Sequence, residues 1–212
     1  MRLSADDVQR DLDALPKNYK TADVDRLIRQ YVKSKADVSD LRPYILDQQQ
    51  LYRIYFYVSL DQIKEVDERM KFIHNNLLFS DWWHTDQVIS YVADLSFDTA
   101  LCYAREYIHS DDPFIRRWGY VLFISKLCKG HAAELLQLMH NDDHYYVQMA
   151  QAWLIAQLAI HEPAAVYEWL QNNDLKYNIL GKAIQKISDS YRVSADWKVK
   201  CKELRTELKK RK

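Results

Sequence analysis

An all-α protein made of stacked helical hairpins, an α-solenoid, is the fold class this sequence predicts, and three observations predict it. The 212 residues hold only 3 Gly and 4 Pro, while Leu, Ala, Gln, Lys and Glu abound. The Gly- and Pro-rich turns that an all-β chain needs are therefore missing. Second, "SDDPFIRRWGYVLFI" from Ser110, "NDDHYYVQMAQAWLI" from Asn141 and "NNDLKYNILGKAIQKI" from Asn172 begin 31 residues apart, twice. Each opens on a polar turn containing Asp and continues with apolar residues at helical spacing. Asn, Asp and Ser accept hydrogen bonds from the free N–H groups of a first helical turn, so these are helix starts. Third, shorter amphipathic stretches lie between them at 97–108, 132–139 and 164–170. A short outer helix followed by a longer inner one, repeated, buries its apolar stripe only by stacking on its neighbours.

Taken in chain order, "TADVDRLIRQYVKSK" (21–35) and "RPYILDQQQLYRIYFYV" (42–58) read as helices whose register with the later period is open. Stepping back 31 residues from Ser110 reaches Phe79, one residue from "SDWWHTDQVI" (80–89), which is thus a fourth copy of the helix start. After Ser194, "SADWKVKCKELRTELKKRK" reads as a capped terminal helix. The expectation is a single repeat domain over 1–212, with N-terminal helices at 1–76, repeats of about 31 residues at 77–193 and a basic helix at 194–212. Equivalent positions then share a face: Asp86, Arg117 and Gln148 in one row, Trp83, Phe114, Tyr145 and Lys176 in a second. Gln87, Trp118, Met149 and Leu180 form a third row, assigned to the core.

Composition excludes several classes. The three cysteines, Cys102, Cys128 and Cys201, are scattered, without the paired spacing of a disulfide framework or zinc knuckle. His140 and His144 flank a turn rather than sharing a helix face, so no metal site is expected, and no cofactor. No phosphate-binding glycine loop, nucleophile elbow or zinc-protease motif occurs. The opening "MRLSADDVQRDLDALP" is charged throughout, unlike a signal peptide, and the longest apolar run, "WGYVLFI" (118–124), is too short to span a bilayer. A cytoplasmic monomer with no membrane partner is expected. The formal net charge is zero but unevenly spread: from Lys176 onward there are 12 basic and 4 acidic residues. This balance points either to an anionic partner or to a solvated tail.

The "SDWW" segment supports two accounts. Trp82 and Asp86 are four apart, one above the other on a helix face. Asp86 and Arg117 share a repeat position. They form either a structural salt bridge between inner helices, with the tryptophans as packing, or part of a concave groove bearing aromatics, a carboxylate and a guanidinium. His84 at the helix start reads as a capping or surface residue.

The block "HYYVQMAQAWLIAQLAIHEPAAVYEWLQNNDLKYNILGKAIQKISDSYRVS", with "DPFIRRWGYVLFISKL" and "SDWWHTDQV", resembles the AlkD-like DNA alkylation repair family of HEAT-like repeat proteins, over 77–204. The resemblance implies hydrolysis of the N-glycosidic bond of cationic N3- or N7-alkylated purines in duplex DNA. It implies catalytic roles for Trp82, Asp86 and Trp153, and DNA contacts from Arg117. Alongside it, Arg116, Tyr145, Lys176, Lys182, Lys186 and Arg192 are the candidate DNA-binding residues. The family's W-D-x-V-D pattern leaves Trp83 with Gln87 as an alternative to Trp82 with Asp86. An arginine three residues after the later tryptophan is replaced here by Ala156. Two other functions stay open: a non-catalytic DNA-binding relative, and a protein-interaction scaffold.

Overall fold

The computed structural model describes residues 1–210; Arg211 and Lys212, the end of the expected basic helix, lie outside the described residues. Among the described residues all regular elements are helical, apart from one isolated bridge between Arg2 and Asp37. No described helix is long and apolar enough to cross a membrane. The chain divides into two compact units: residues 1–80 with 90–92, and residues 81–89 with the chain from Ala93 onward.

The first unit contains α1 (Ala5–Asp13), α2 (Thr21–Lys33), α3 (Gln49–Gln62) and α4 (Val66–His74). Helix α1 went unread in the sequence, although its start carries a reciprocal cap. The Ser4 hydroxyl accepts the Asp7 N–H at 3.1 Å, and the Asp7 carboxylate accepts the Ser4 N–H at 3.0 Å. The helix expected at 42–58 is split. Ser39–Tyr44 forms a 3-10 turn containing Pro43, and α3 begins after an extended Gln48. Pro43 has no N–H to bond back along an α-helix, so the turn stays short. Tyr52, Ile54, Phe56 and Leu60 of α3 are fully buried, with Leu27 and Ile28 of α2 also in the core.

The second unit holds the hairpins. Its inner helices are α5 (Trp82–Val88), α7 (Pro113–Val121), α9 (Tyr145–His161) and α11 (Tyr177–Asp189). Its outer helices are α6 (Phe97–Tyr107), α8 (Ala132–Leu136) and α10 (Pro163–Asn172), and α12 (Ala195–Lys210) packs on α11. Inner helices contact in chain order: α5 on α7, α7 on α9, α9 on α11. Helix α9 is apolar almost all round, as a helix with neighbours on several sides must be. Gly119 allows α7 to close on the end of α6: a Cβ there would stand 2.8 Å from Ile108 Cγ2.

The inner helices begin 31, 32 and 32 residues apart, not at a constant 31. At α7 the N-cap Asp112 accepts the Phe114 N–H directly, at 2.7 Å. At α9 the polar turn runs longer: Asp142 accepts the His144 N–H at 2.8 Å, and the helix starts one residue later. This extra residue shifts the register. Met149, not Gln148, follows Arg117 on the groove face, and Met149 leaves the core row to which the period assigned it. Gln148 turns inward and donates to the Asp142 carbonyl at 2.8 Å.

Candidate functional site

Trp82, Asp86, Arg117, Tyr145, Tyr146, Met149, Trp153 and Lys186 line one open pocket of about 340 Å³ on the inner-helix face. It is built from the start of α5 upward. Asp81 caps α5, accepting the Trp82 N–H at 2.6 Å, while its own N–H donates to His84 Nδ1 at 3.0 Å. His84 is therefore a capping residue, and it is buried rather than exposed. Burial pushes its imidazole down to about 4, with Asp81 opposing the shift. The cap fixes the first turn, and the helical spacing sets Trp82 and Asp86 on the same side. Trp82 is 43% exposed, a large amount for tryptophan, and turns its ring toward the pocket opening.

Arg117 comes from the middle of α7 and is 3% exposed. Three of its N–H groups are held. Nη2 donates to Asp86 Oδ1 at 2.7 Å, Nε to the Thr85 hydroxyl at 3.0 Å, and Nη1 to the Tyr146 carbonyl at 3.0 Å. Thr85 is itself fully buried, and its hydroxyl also lies 3.1 Å from Asp86 Oδ1 and 2.9 Å from the Trp82 carbonyl. The guanidinium thus ties α5, α7 and α9 together and fixes one oxygen of Asp86. Among the described residues, Oδ2 makes no hydrogen bond. Thr85 and the Tyr146 carbonyl were not singled out in the sequence. A threonine one residue before the aspartate, on the side facing the next inner helix, is the signal that could have identified the first. A carbonyl leaves no residue-type signal at all.

The floor and far wall are aromatic and cationic. Lys182 Nζ lies 5.1 Å from the Tyr145 ring centroid, and Lys186 Nζ 6.0 Å from that of Trp153. Burial lowers the Lys186 ammonium below its ordinary range, and the Arg117 charge adds to the shift against the opposing Asp189 and Asp86. An anion entering the pocket would reverse that strain.

A match to the family described as DNA alkylation repair enzyme spans residues 18–187. The chain belongs to this family. No curated protein matches the chain. The family match reaches back to α2 and so takes in most of the first unit, which the resemblance over 77–204 did not. As a DNA alkylation repair family member, the protein has DNA as the partner its groove must be judged against.

Six of the sequence-predicted residues converge on the pocket: Trp82, Asp86, Arg117, Tyr145, Trp153 and Lys186. Lys182 joins them through Tyr145, and Arg192 lines a second cavity that shares Trp153 and Lys186. Two stand apart. Arg116 donates to Asp142 at 2.7 Å and to the Ser110 and Asp111 carbonyls at 2.9 and 3.0 Å. It clamps the loops before α7 and α9. Lys176 pairs with Asp143 at 2.6 Å on the exposed surface. Trp83 turns away from the pocket and donates from Nε1 to Asp81 at 3.0 Å, so Trp82 with Asp86 is the pair that faces it. Among the described residues no group of three or more His, Cys, Asp or Glu side chains is placed to hold a metal.

Proposed function

We propose that this protein is a DNA glycosylase that removes cationic N3- or N7-alkylated purines from duplex DNA. The observation that carries the proposal is Asp86. Its carboxylate has one oxygen fixed by Arg117 and Thr85 and the other open to an aromatic-walled pocket.

The chemistry follows from the charge. An alkylated purine is already cationic, so it departs without a general acid. As the C1′–N9 bond breaks, its electron pair leaves with the base, which becomes neutral, and positive charge passes to the deoxyribose. Asp86 stabilises that charge and its open oxygen orients a water. The water oxygen bonds to C1′, and its proton is released to Asp86 and then to solvent. The faces of Trp82 and Trp153 stabilise the same cation by cation–π attraction. Arg117, enclosed by protein, positions Asp86 in this scheme, and Lys182, Lys186 and Arg192 meet the phosphates.

The test is release of N7-methylguanine from a duplex carrying one such base. Asp86→Asn is expected to fold, to bind the duplex as the wild type does, and to release base at least about 100-fold more slowly, the cost of one preorganised electrostatic group. A purely structural pair would instead lose thermal stability at unchanged rate. A wild type that binds the duplex and releases no base makes the groove a DNA-binding site without the reaction.

A further inference from the structure

Beyond the pocket around Asp86 lies a second cavity of about 430 Å³, lined by Trp153, Ala156, Gln157, Ile160, Lys186 and the turn from Asp189 to Arg192. It shares Trp153 and Lys186 with the first, so the two are neighbours along one line. Ala156 and Ile160 make its base apolar. Its rim is the turn that ends α11. There Ser190 Oγ accepts the Arg192 N–H at 3.2 Å, and Val193 is buried, 5% exposed. The turn is thus anchored at both sides, and what it holds out between them is Tyr191, 91% exposed. Arg192 beside it is exposed and makes no ion pair among the described residues. The one carboxylate lining the cavity, Asp189, accepts from Gln185 at 2.8 Å.

The cations along α11 each come with an aromatic ring. Lys182 lies against Tyr145, and Lys186 against Trp153. Arg192 follows Tyr191 directly in the chain. Alternating cations and ring faces along a groove is the arrangement that follows a nucleic-acid strand, phosphates on the cations and bases or sugars on the rings. A solitary exposed tyrosine needs no function. This one closes a series whose first two members line the Asp86 pocket.

We infer that the Trp153–Tyr191–Arg192 cavity is a subsite for the nucleotide that flanks the lesion in the same strand. Tyr191 packs on its base, Arg192 takes its phosphate, and Trp153 separates it from the lesion nucleotide. Tyr191 is then a positioning residue that sets how the protein responds to the sequence next to the damage. This inference rests on the DNA reading of the Asp86 pocket but not on catalysis there.

The experiment measures Kd for duplexes carrying an uncleavable tetrahydrofuran abasic analogue at the lesion position, with the nucleotide on either side natural or also baseless. Tyr191→Ala is expected to raise Kd about tenfold on the natural duplex, from the worth of one base–aromatic contact. Tyr191→Phe is expected to bind as the wild type does. The penalty of Tyr191→Ala should vanish when the base on one side, and only that side, is missing. Equal Kd for wild type and Tyr191→Ala on the natural duplex, with unchanged Tm, overturns the subsite while leaving the Asp86 pocket intact. A penalty that persists on both baseless duplexes also overturns it. A wild type with no affinity for any of these duplexes at low salt overturns the subsite together with the DNA reading itself.

Discussion

Two consecutive arginines of α7 meet opposite fates. Arg117 is 3% exposed and spends its donors on Thr85, Asp86 and the Tyr146 carbonyl, inside the groove wall. Arg116, next in the chain, reaches the other way to Asp142 and to the carbonyls of the loop before its own helix. Both bridge neighbouring inner helices, both are charge-assisted, and both look alike in "DPFIRRW". They differ in what surrounds the carboxylate. Asp142 has a side chain 5% exposed, and its other oxygen accepts the His144 N–H, so both of its oxygens are occupied within the protein. Asp86 is 25% exposed and keeps Oδ2 open beside two tryptophans. A carboxylate with all its acceptors used holds structure. One fixed on a single side retains an oxygen for chemistry.

The comparison breaks most sharply at Arg117. Arg117→Met leaves Thr85, Asp86 and a backbone carbonyl without their donor. It is expected to cost about 3–5 kcal/mol in urea unfolding and to slow base release by at least about 100-fold. Arg117→Lys keeps a charge but not the three-way fork, so it should recover part of the stability and little of the rate. A lysine variant with wild-type release would mean that charge alone, not the orientation of Asp86, is what the groove requires.

Next in size is the cap under the groove. Helix α5 has seven residues, Trp82–Val88, and its first turn rests on Asp81 and His84. The His84 imidazole titrates near 4 when folded because it is buried, against an ordinary 6.5. The unfolded chain therefore takes up a proton first as pH falls. The contribution of neutral His84 is complete above about 6.5 and drains away between there and about 4, by about 3 kcal/mol in all. In His84→Asn, which keeps an acceptor for the Asp81 N–H, that part of the acid sensitivity should disappear. Parallel stability–pH curves for the two proteins would remove His84 from the account. Asp142 works at the lower end of the scale. Burial alone would raise its carboxyl, but Arg116 and the His144 N–H outweigh burial and lower it. Its contribution is present above the ordinary carboxylate range and lost as pH falls through that lowered value.

Arg116→Met sharpens the same comparison from the other side. It should cost about 2–3 kcal/mol, the worth of a partly buried charged hydrogen bond. At a temperature where the variant stays folded, base release should lie within about threefold of wild type. A large loss of rate would place Arg116 in the groove after all.

Much of this was legible beforehand because helix starts write themselves in residue type. Asp81 and Asp112 cap where the polar turns announced them, and the outer helices lie at the amphipathic stretches between. The pairing of Asp86 with Arg117 followed from the period, because that step of the stack is 31 residues. The same arithmetic failed one repeat later. The extra residue between Asp142 and Tyr145 changes no residue type that periodicity registers, yet it rotates Gln148 inward and brings Met149 to the pocket. The burial of His84 was hidden for a related reason. A capping imidazole is polar by sequence, and only the packing around α5 decides whether water reaches it.

The smallest expected effect separates two lysines that composition counts equally. Lys182 sits over Tyr145 with no carboxylate partner among the described ion pairs, whereas Lys176 is 2.6 Å from Asp143. A cation already neutralised by a neighbour releases few DNA counterions on binding, while a free one releases about one. Lys182→Ala should therefore weaken duplex binding modestly and lower the slope of log K against log salt by about 1. Lys176→Ala should leave the slope nearly unchanged, despite removing the same formal charge. Anisotropy titrations across a salt series read both slopes directly. Equal changes for the two lysines would mean that DNA responds to the summed charge of the C-terminal region rather than to the line of cations along α11.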